Sequence, residues 1–191
     1  MRKGWPLLLI AFSLTINAAN ADDSIPAKSH YFSFDVISAC LGTMRGSYEF
    51  MAGNHGIAVE GQYTFPWLGT KAYEGNVAYR YHFDTSAAGM FAGPYFKMGK
   101  TQGSITDDSR INYPYVLTYK TIGADWGIRK KLLKKKWLFY TFRLGAGYPF
   151  TSFTWKKDPP ETIGGLSLHT FTTILKITAY LDSELTLTLA F

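Results

Sequence analysis

Charged residues of both signs recur on the polar side of segments whose side chains alternate between polar and apolar. These residues are Arg45, Glu49, Glu60, Glu74, Arg80, Asp125 and Arg143. Glycines such as Gly123, Gly145 and Gly147 share that side and leave room for long side chains. Acids and bases on an enclosed face must pair, because an unpaired buried charge is strongly destabilising. The pattern predicts an internal ion-pair network, and a narrow pore or a proton path is the alternative for the same groups.

Residue types suited to nucleophilic or metal chemistry are sparse. Ser167 and His169 are two positions apart in a predicted strand, so a hydroxyl and an imidazole would face the same side. No acidic partner can be assigned to them, and the four histidines show no metal-ligand spacing. We therefore expect no catalytic residues, no metal site and no cofactor.

A period of two runs through most of the chain, and this period is the signature of β-strands. The clearest segment, Glu184 to Phe191, alternates polar residues with leucines. Leu166 to Leu181 is predicted as the strand before it, and Gln102 to Asn112 is predicted as a loop. Tyr31 to Phe50 is treated as one bent strand, with two strands as the alternative. Counting it once predicts an all-β fold, an eight-stranded antiparallel up-and-down transmembrane β-barrel.

Alternation alone does not say which face of a barrel is wet, so a soluble lipocalin-like barrel is the competing prediction. Aromatic residues bunch at the ends of the predicted strands, as in the girdles of membrane barrels. They are Tyr63, Phe65 and Trp67, then Tyr79, Tyr81 and Phe83, and then Tyr148 and Phe150. A charge facing hydrocarbon at the middle of a bilayer costs about 2–4 kcal/mol. The charged face is therefore predicted to line the lumen.

The first residues have the pattern of a secretory signal peptide, with a basic start, an apolar stretch from Leu7 to Ile16 and the small-residue site Ala19-Asn20-Ala21. We expect residues 1–21 to be a cleaved signal peptide, residues 22–30 a periplasmic lead-in and residues 31–191 the barrel. The chain carries a formal net charge of +6. Export nevertheless excludes nucleic acid as a partner.

A dense run of positive charge follows the fifth predicted strand, and its lysines are Lys130, Lys131, Lys134, Lys135 and Lys136. An extracellular cluster of this kind can bind lipopolysaccharide phosphates by local charge attraction. The alternative is a solvated turn. With eight strands as counted here, the short turn at residues 84–88 is extracellular and the longer link at 102–112 is periplasmic, against the usual order.

Three short motifs carry a resemblance to a known class of proteins. They are Ser47-Tyr48-Glu49, Tyr79-Arg80-Tyr81, and Gly89 to Tyr95 with the form Gly-x-x-x-Gly-Pro-Tyr. From Tyr31 to Phe150 the chain resembles the small bacterial outer-membrane barrels typified by the OmpA membrane domain, OmpX and OmpW. It is most similar to an outer-membrane barrel family of unknown function.

The resemblance implies an outer-membrane location and insertion by the barrel-assembly machinery, with Phe191 as part of the signal which that machinery reads. Lipid A hydrolases and acyltransferases of this size also exist, but the His-x-Ser-Asn motif of the deacylases is absent here. We expect a monomer with a structural or interaction role in the envelope, in contact with outer-membrane lipids and lipopolysaccharide. A narrow pore is the first alternative, and a lipid A-modifying enzyme is the second.

Overall fold

The computed structural model describes residues 29–66, 69–84, 88–106, 110–132, 137–159, 162–163, 166–177 and 181–191. The predicted signal peptide and residues 22–28 of the predicted lead-in lie outside this part of the chain. Trp67 and the lysines Lys134, Lys135 and Lys136 also lie outside it.

Eight antiparallel strands pair in sequence and close into a barrel. They are β1 (His30–Asp35), β2 (Thr43–Ala52), β3 (His55–Thr64), β4 (Thr70–His82), β5 (Gly89–Thr106), β6 (Asn112–Lys131), β7 (Leu138–Trp155) and β10 (Leu181–Ala190). Strand β1 pairs with both β2 and β10, which leaves no free edge. The predicted eight-stranded antiparallel up-and-down barrel is therefore confirmed.

The other elements lie in the connections between barrel strands. They are the helix α1 (Val36–Cys40), the short strands β8 (Thr162–Ile163) and β9 (Leu166–Ser167), and the helix α2 (Leu168–Ile177). Among the described residues, no helix has the length and apolar character needed to cross a membrane.

The segment from Tyr31 to Phe50 is two strands rather than one bent strand, so the preferred prediction was wrong and its alternative is correct. The Asp35 carboxylate accepts hydrogen bonds from the Ser38 backbone N–H at 2.9 Å and from the Ser38 hydroxyl at 2.6 Å. This side chain caps the first turn of α1 and ends β1. Gly42 then adopts a φ of 80°, which favours glycine, and the chain reverses into β2.

The predicted strand from Leu166 to Leu181 was also wrong, because α2 occupies most of it. Apolar residues at positions 168, 171 and 174 recur every three residues, which suits a helix better than a strand. Splitting the first segment adds a strand and losing this one removes a strand. The count of eight therefore holds with a different set of strands.

Most of the predicted loop from Gln102 to Asn112 is strand, since β5 continues to Thr106 and β6 begins at Asn112. Tyrosines on β6 explain how glycines are tolerated in this polar stretch. A Cβ added at Gly103 would lie 2.6 Å from the Tyr115 hydroxyl, so the tyrosine covers the bare glycine backbone. The connecting link is therefore shorter than the sequence suggested.

The two ends of the barrel carry connections of different length. We call the end where His30 meets Phe191 the near end, and the opposite one the far end. Near-end links comprise residues 53–54, 83–88 and 132–137, whereas the far end carries residues 36–42, 65–69, 107–111 and the long stretch 156–180. The longest connection, residues 156–180, therefore lies at the far end, whereas the link at residues 83–88 lies at the same end as Phe191. The conflict over sidedness at the sequence level came from the wrong strand assignments.

The polarity of the barrel is the inverse of that of a soluble ligand-binding barrel. Charged side chains such as Arg143 and Asp125 are buried inside, while Ile57, Ile122 and Tyr148 on the outer face are more than half exposed. Rows of exposed aromatic and aliphatic residues cover this outer surface along all eight strands. This arrangement is what the transmembrane prediction requires.

Candidate functional site

All seven charged residues singled out in the sequence lie in the barrel interior and take part in ion pairs with one another or with further inward residues. Strand β2 contributes Arg45 and Glu49, and β3 contributes Glu60. Strand β4 contributes Glu74 and Arg80, β6 contributes Asp125, and β7 contributes Arg143. Each points inward because its position is in phase with the buried face of its strand.

Arg143 lies at the centre of the network. Its guanidinium nitrogens lie 2.8 Å from Glu184, 3.0 Å from Glu60, 3.1 Å from Asp182 and 3.2 Å from Asp125. The planar guanidinium carries five N–H donors in a fixed fork, so it can serve several carboxylates at once. One side chain from β7 thereby links β3, β6 and β10.

Glu60 receives three arginines. Besides Arg143, Arg80 donates to its Oε1 at 2.6 Å and Arg45 donates to its Oε2 at 3.3 Å. The Asn76 amide donates to the same Oε2 at 2.8 Å. Each carboxylate oxygen can accept more than one hydrogen bond, so Glu60 remains well satisfied although it is buried.

A second cluster surrounds Glu49, nearer to the near end. Arg80 lies 3.3 Å from its Oε2, Arg129 contacts the same oxygen, and the His82 ring nitrogen lies 2.7 Å from its Oε1. Gly56 makes room for this carboxylate, because a Cβ at that position would lie 2.5 Å from Oε1. A larger residue at position 56 would therefore displace the Glu49 carboxylate from its present position.

Apolar and aromatic side chains lie in the lumen between this cluster and the near end. Tyr31, Met51, Phe139 and Ala190 form one buried group at the near end. The Arg129 guanidinium lies 4.4 Å above the centre of the Tyr31 ring, and that of Arg80 lies 4.9 Å above the Phe91 ring. The two arginines thus link the charged network to the apolar and aromatic side chains towards the near end.

Towards the far end, Lys97 continues the network. Its ammonium lies 3.6 Å from Glu74 and 3.9 Å from Asp182. The Tyr119 hydroxyl donates to Glu74 at 2.6 Å. These pairs are longer than those around Arg143, so the cross-linking is loosest here.

Two of the ion pairs join opposite walls of the barrel. Strand β7 is four strands away from β3 around the ring, so Arg143 and Glu60 bridge the full width of the lumen. Strand β6 lies opposite β2, and Arg129 and Glu49 bridge these two strands. Charged side chains from opposite walls of the barrel therefore meet across the lumen.

Five further members of this network are not among the seven charged residues singled out in the sequence. They are His82, Lys97, Arg129, Asp182 and Glu184. Strand phase could have identified Arg129, which lies four positions from Asp125, and Glu184, which alternates with the leucines of β10. The pairings themselves depend on strand register, which one sequence does not reveal.

The remaining predicted residues lie away from the lumen network. Ser167 ends β9 and His169 lies within α2, so they are not two positions of one strand face as the sequence suggested. The Ser167 hydroxyl is 2.8 Å from that of Thr170. Lys130 and Lys131 end β6 at the near end of the barrel. Phe191 packs at the same end, stacked on His30 with ring centres 6.0 Å apart.

No protein-family model and no curated protein matches the chain. Among solved structures, the chain is similar to the crystal structure of Acinetobacter baumannii CarO. The two share 10% sequence identity with a TM-score of 0.41, over 86% of this chain and 98% of that one.

Proposed function

We propose that the protein is an outer-membrane β-barrel with a closed interior and a structural or interaction role in the bacterial envelope. The observation that carries this proposal is the pair of ion bridges across the lumen, from Arg143 to Glu60 and from Arg129 to Glu49, inside a barrel with an apolar exterior. An apolar exterior supports a lipid environment, and ion pairs that span a narrow eight-stranded lumen support a closed interior. The proposal includes no enzymatic role.

The connections favour one orientation in the membrane. Outer-membrane barrels have short periplasmic turns and longer extracellular loops. We therefore assign the near end to the periplasm and the far end to the outside. Lys130 and Lys131, which end β6, then lie on the periplasmic side, away from the lipopolysaccharide leaflet. We therefore propose that they make no lipopolysaccharide contact.

Cell fractionation tests the location. The protein should be recovered with outer membranes and should migrate differently on gels before and after heating, as folded barrels do. Recovery as a soluble periplasmic protein would overturn the membrane proposal and would return the chain to the soluble class.

Planar-bilayer recording tests the closed interior. Purified, folded protein should give no stable current above background, because opening a path requires several buried ion pairs to separate together. A general porin purified and inserted in the same way serves as the positive control. A steady open-channel current from this protein would favour the narrow pore instead.

A further inference from the structure

Three lysines face outward on neighbouring strands near the far end of the barrel. Lys71 on β4, Lys100 on β5 and Lys120 on β6 each lie two positions beyond an exposed apolar residue of the same strand face, respectively Tyr73, Met98 and Ile122. Side chains two positions apart on a strand share a face. These lysines therefore mark the level where the apolar outer surface gives way to charge.

Strand register places the three lysines side by side. Lys100 pairs with Tyr73 on one side and with Thr118 on the other, while Lys120 pairs with Met98. Lys100 is thus a diagonal neighbour of both Lys71 and Lys120, and such neighbours have Cα atoms about 7–8 Å apart. Two flexible ammonium groups at that spacing can reach the same phosphate.

A groove of about 840 Å3 lies on this part of the barrel wall. Tyr73, Gly75, Met98 and Phe150 supply the apolar part of its lining. The charged residues of the lining are Lys100, Lys120 and Glu74, and the Glu74 carboxylate pairs with Lys97. Gly75 leaves the wall open, since nothing lies within 4 Å of where its Cβ would be. The groove therefore combines an apolar surface for a hydrocarbon chain with two lysines that lie beside the apolar residues on neighbouring strands.

The ammonium groups have little to neutralise them within the protein. Among the described residues, no carboxylate lies within 4.0 Å of Lys71, Lys100 or Lys120. Lys71 lies over two aromatic rings instead, 5.0 Å from the centre of Tyr73 and 5.8 Å from that of Tyr63. Lys97 in the lumen pairs with acids, whereas the three outward lysines remain available to an external anion.

We propose that Lys71, Lys100 and Lys120 hold the phosphate of a phosphorylated lipid whose acyl chain lies in the groove. This inference rests on the proposed outer-membrane location and on the proposed orientation, which together place the far end at the level of the outer-leaflet headgroups. The lysines supply charge attraction at the height where anionic headgroups concentrate. Aromatic side chains beside them anchor the same level of the wall.

Native mass spectrometry of the detergent-solubilised full chain tests the site. The probes are diphosphorylated lipid A, a phosphate-free lipid with comparable acyl chains, and inorganic phosphate. The double variant K100Q/K120Q should bind diphosphorylated lipid A about tenfold or more weakly than the unchanged protein, because two interfacial cations are lost. The matched control K130Q/K131Q removes equal charge at the near end and should bind normally. Heat-modifiable migration verifies that both variants are folded.

Several results would overturn the inference. Unchanged binding by folded K100Q/K120Q, or an equal loss in K130Q/K131Q, would show that these lysines do not form a specific site. Equal binding of the phosphate-free lipid would remove the role of phosphate, and displacement of the lipid by low concentrations of inorganic phosphate would assign the lysines to free phosphate. Failure of lipid binding in a protein that fractionates with outer membranes overturns this inference alone, whereas a soluble protein overturns the proposed function too.

Discussion

Arg143 shows how much a single side chain contributes to this barrel. It contacts the carboxylates of Glu60, Asp125, Asp182 and Glu184. Without it, the cations that remain beside these carboxylates are fewer than their four negative charges. Breaking a buried pair by deleting one partner typically costs about 3–5 kcal/mol. Arg143→Met should therefore lower the free energy of unfolding by that amount, measured by urea unfolding of the barrel in lipid vesicles.

Arg110→Met is the control for this measurement. Arg110 is exposed in the link between β5 and β6, so the same substitution there should change stability by less than about 0.5 kcal/mol. Arg143→Lys should recover only part of the loss, because an ammonium lacks the fork that spans several carboxylates. Equal stability of R143M and the unchanged protein would contradict the central place of Arg143 in the network.

Residue identity and strand phase were enough to assign the charged residues to one enclosed face. They could not show which acid meets which base, since the bridge from Arg143 to Glu60 depends on the register of five consecutive strands. Pairing is a property of the closed barrel rather than of any segment.

At the scale of strands, one glycine controls the contact between β4 and β5. A Cβ at Gly93 would overlap the Tyr79 carbonyl oxygen, which is backbone and cannot move aside cheaply. The register of these strands skips the positions beside Gly93 and Pro94, and it resumes at Tyr81 and Ala92. Gly93→Ala should destabilise the barrel by at least about 1–3 kcal/mol through overpacking.

The matched control is Gly61→Ala, because nothing lies within 4 Å of the position where its Cβ would be. Unfolding of both variants should be followed by loss of heat-modifiable migration at increasing urea concentration. Similar midpoints for G93A and G61A would show that the strand contact can relax around a methyl group.

The seam between β1 and β10 depends on contacts at the near end. The Phe191 N–H donates to the His30 carbonyl at 3.1 Å, and the two rings stack. Phe191→Ala removes the stacking and should lower the folded yield in outer membranes several-fold. Phe83→Ala is the control, because Phe83 is comparably exposed, 60% against 64%, at the same end of the barrel. An undiminished yield of F191A would contradict a role for this side chain in closure or assembly.

Two kinds of element were misassigned from the sequence, namely a short helix between two strands and strand ends with a polar composition. Helix α1 spans only five residues between two strands, so a bulge and a helix leave nearly the same pattern in the sequence. Strands β5 and β6 extend further than the polar composition of residues 102–112 indicated, because paired backbone and covering tyrosines compensate for glycines there. Long strands such as β7 keep the period of two over many residues, so their pattern in the sequence is clearer than that of a short element.

For the molecule as a whole, the decisive property is the solvent outside the barrel. Leu144 lies midway along β7 between the outward tyrosines Tyr140 and Tyr148, and it is 46% exposed. In water, a half-exposed leucine can be replaced by arginine with little effect on stability. At the middle of a bilayer the same replacement costs about 2–4 kcal/mol. Leu144→Arg therefore distinguishes lipid from water at the outer wall.

Ser152→Arg supplies the comparison, since Ser152 lies on the same outward face of β7 two positions beyond Phe150, towards the far end. There the cost of arginine should fall to about 0–1 kcal/mol, as it does near a membrane interface. Both free energies should be measured by reversible urea unfolding in vesicles of one lipid composition. A cost at Leu144 no larger than at Ser152 would mean that the apolar exterior does not face hydrocarbon, and the buried ion pairs would then need a different explanation.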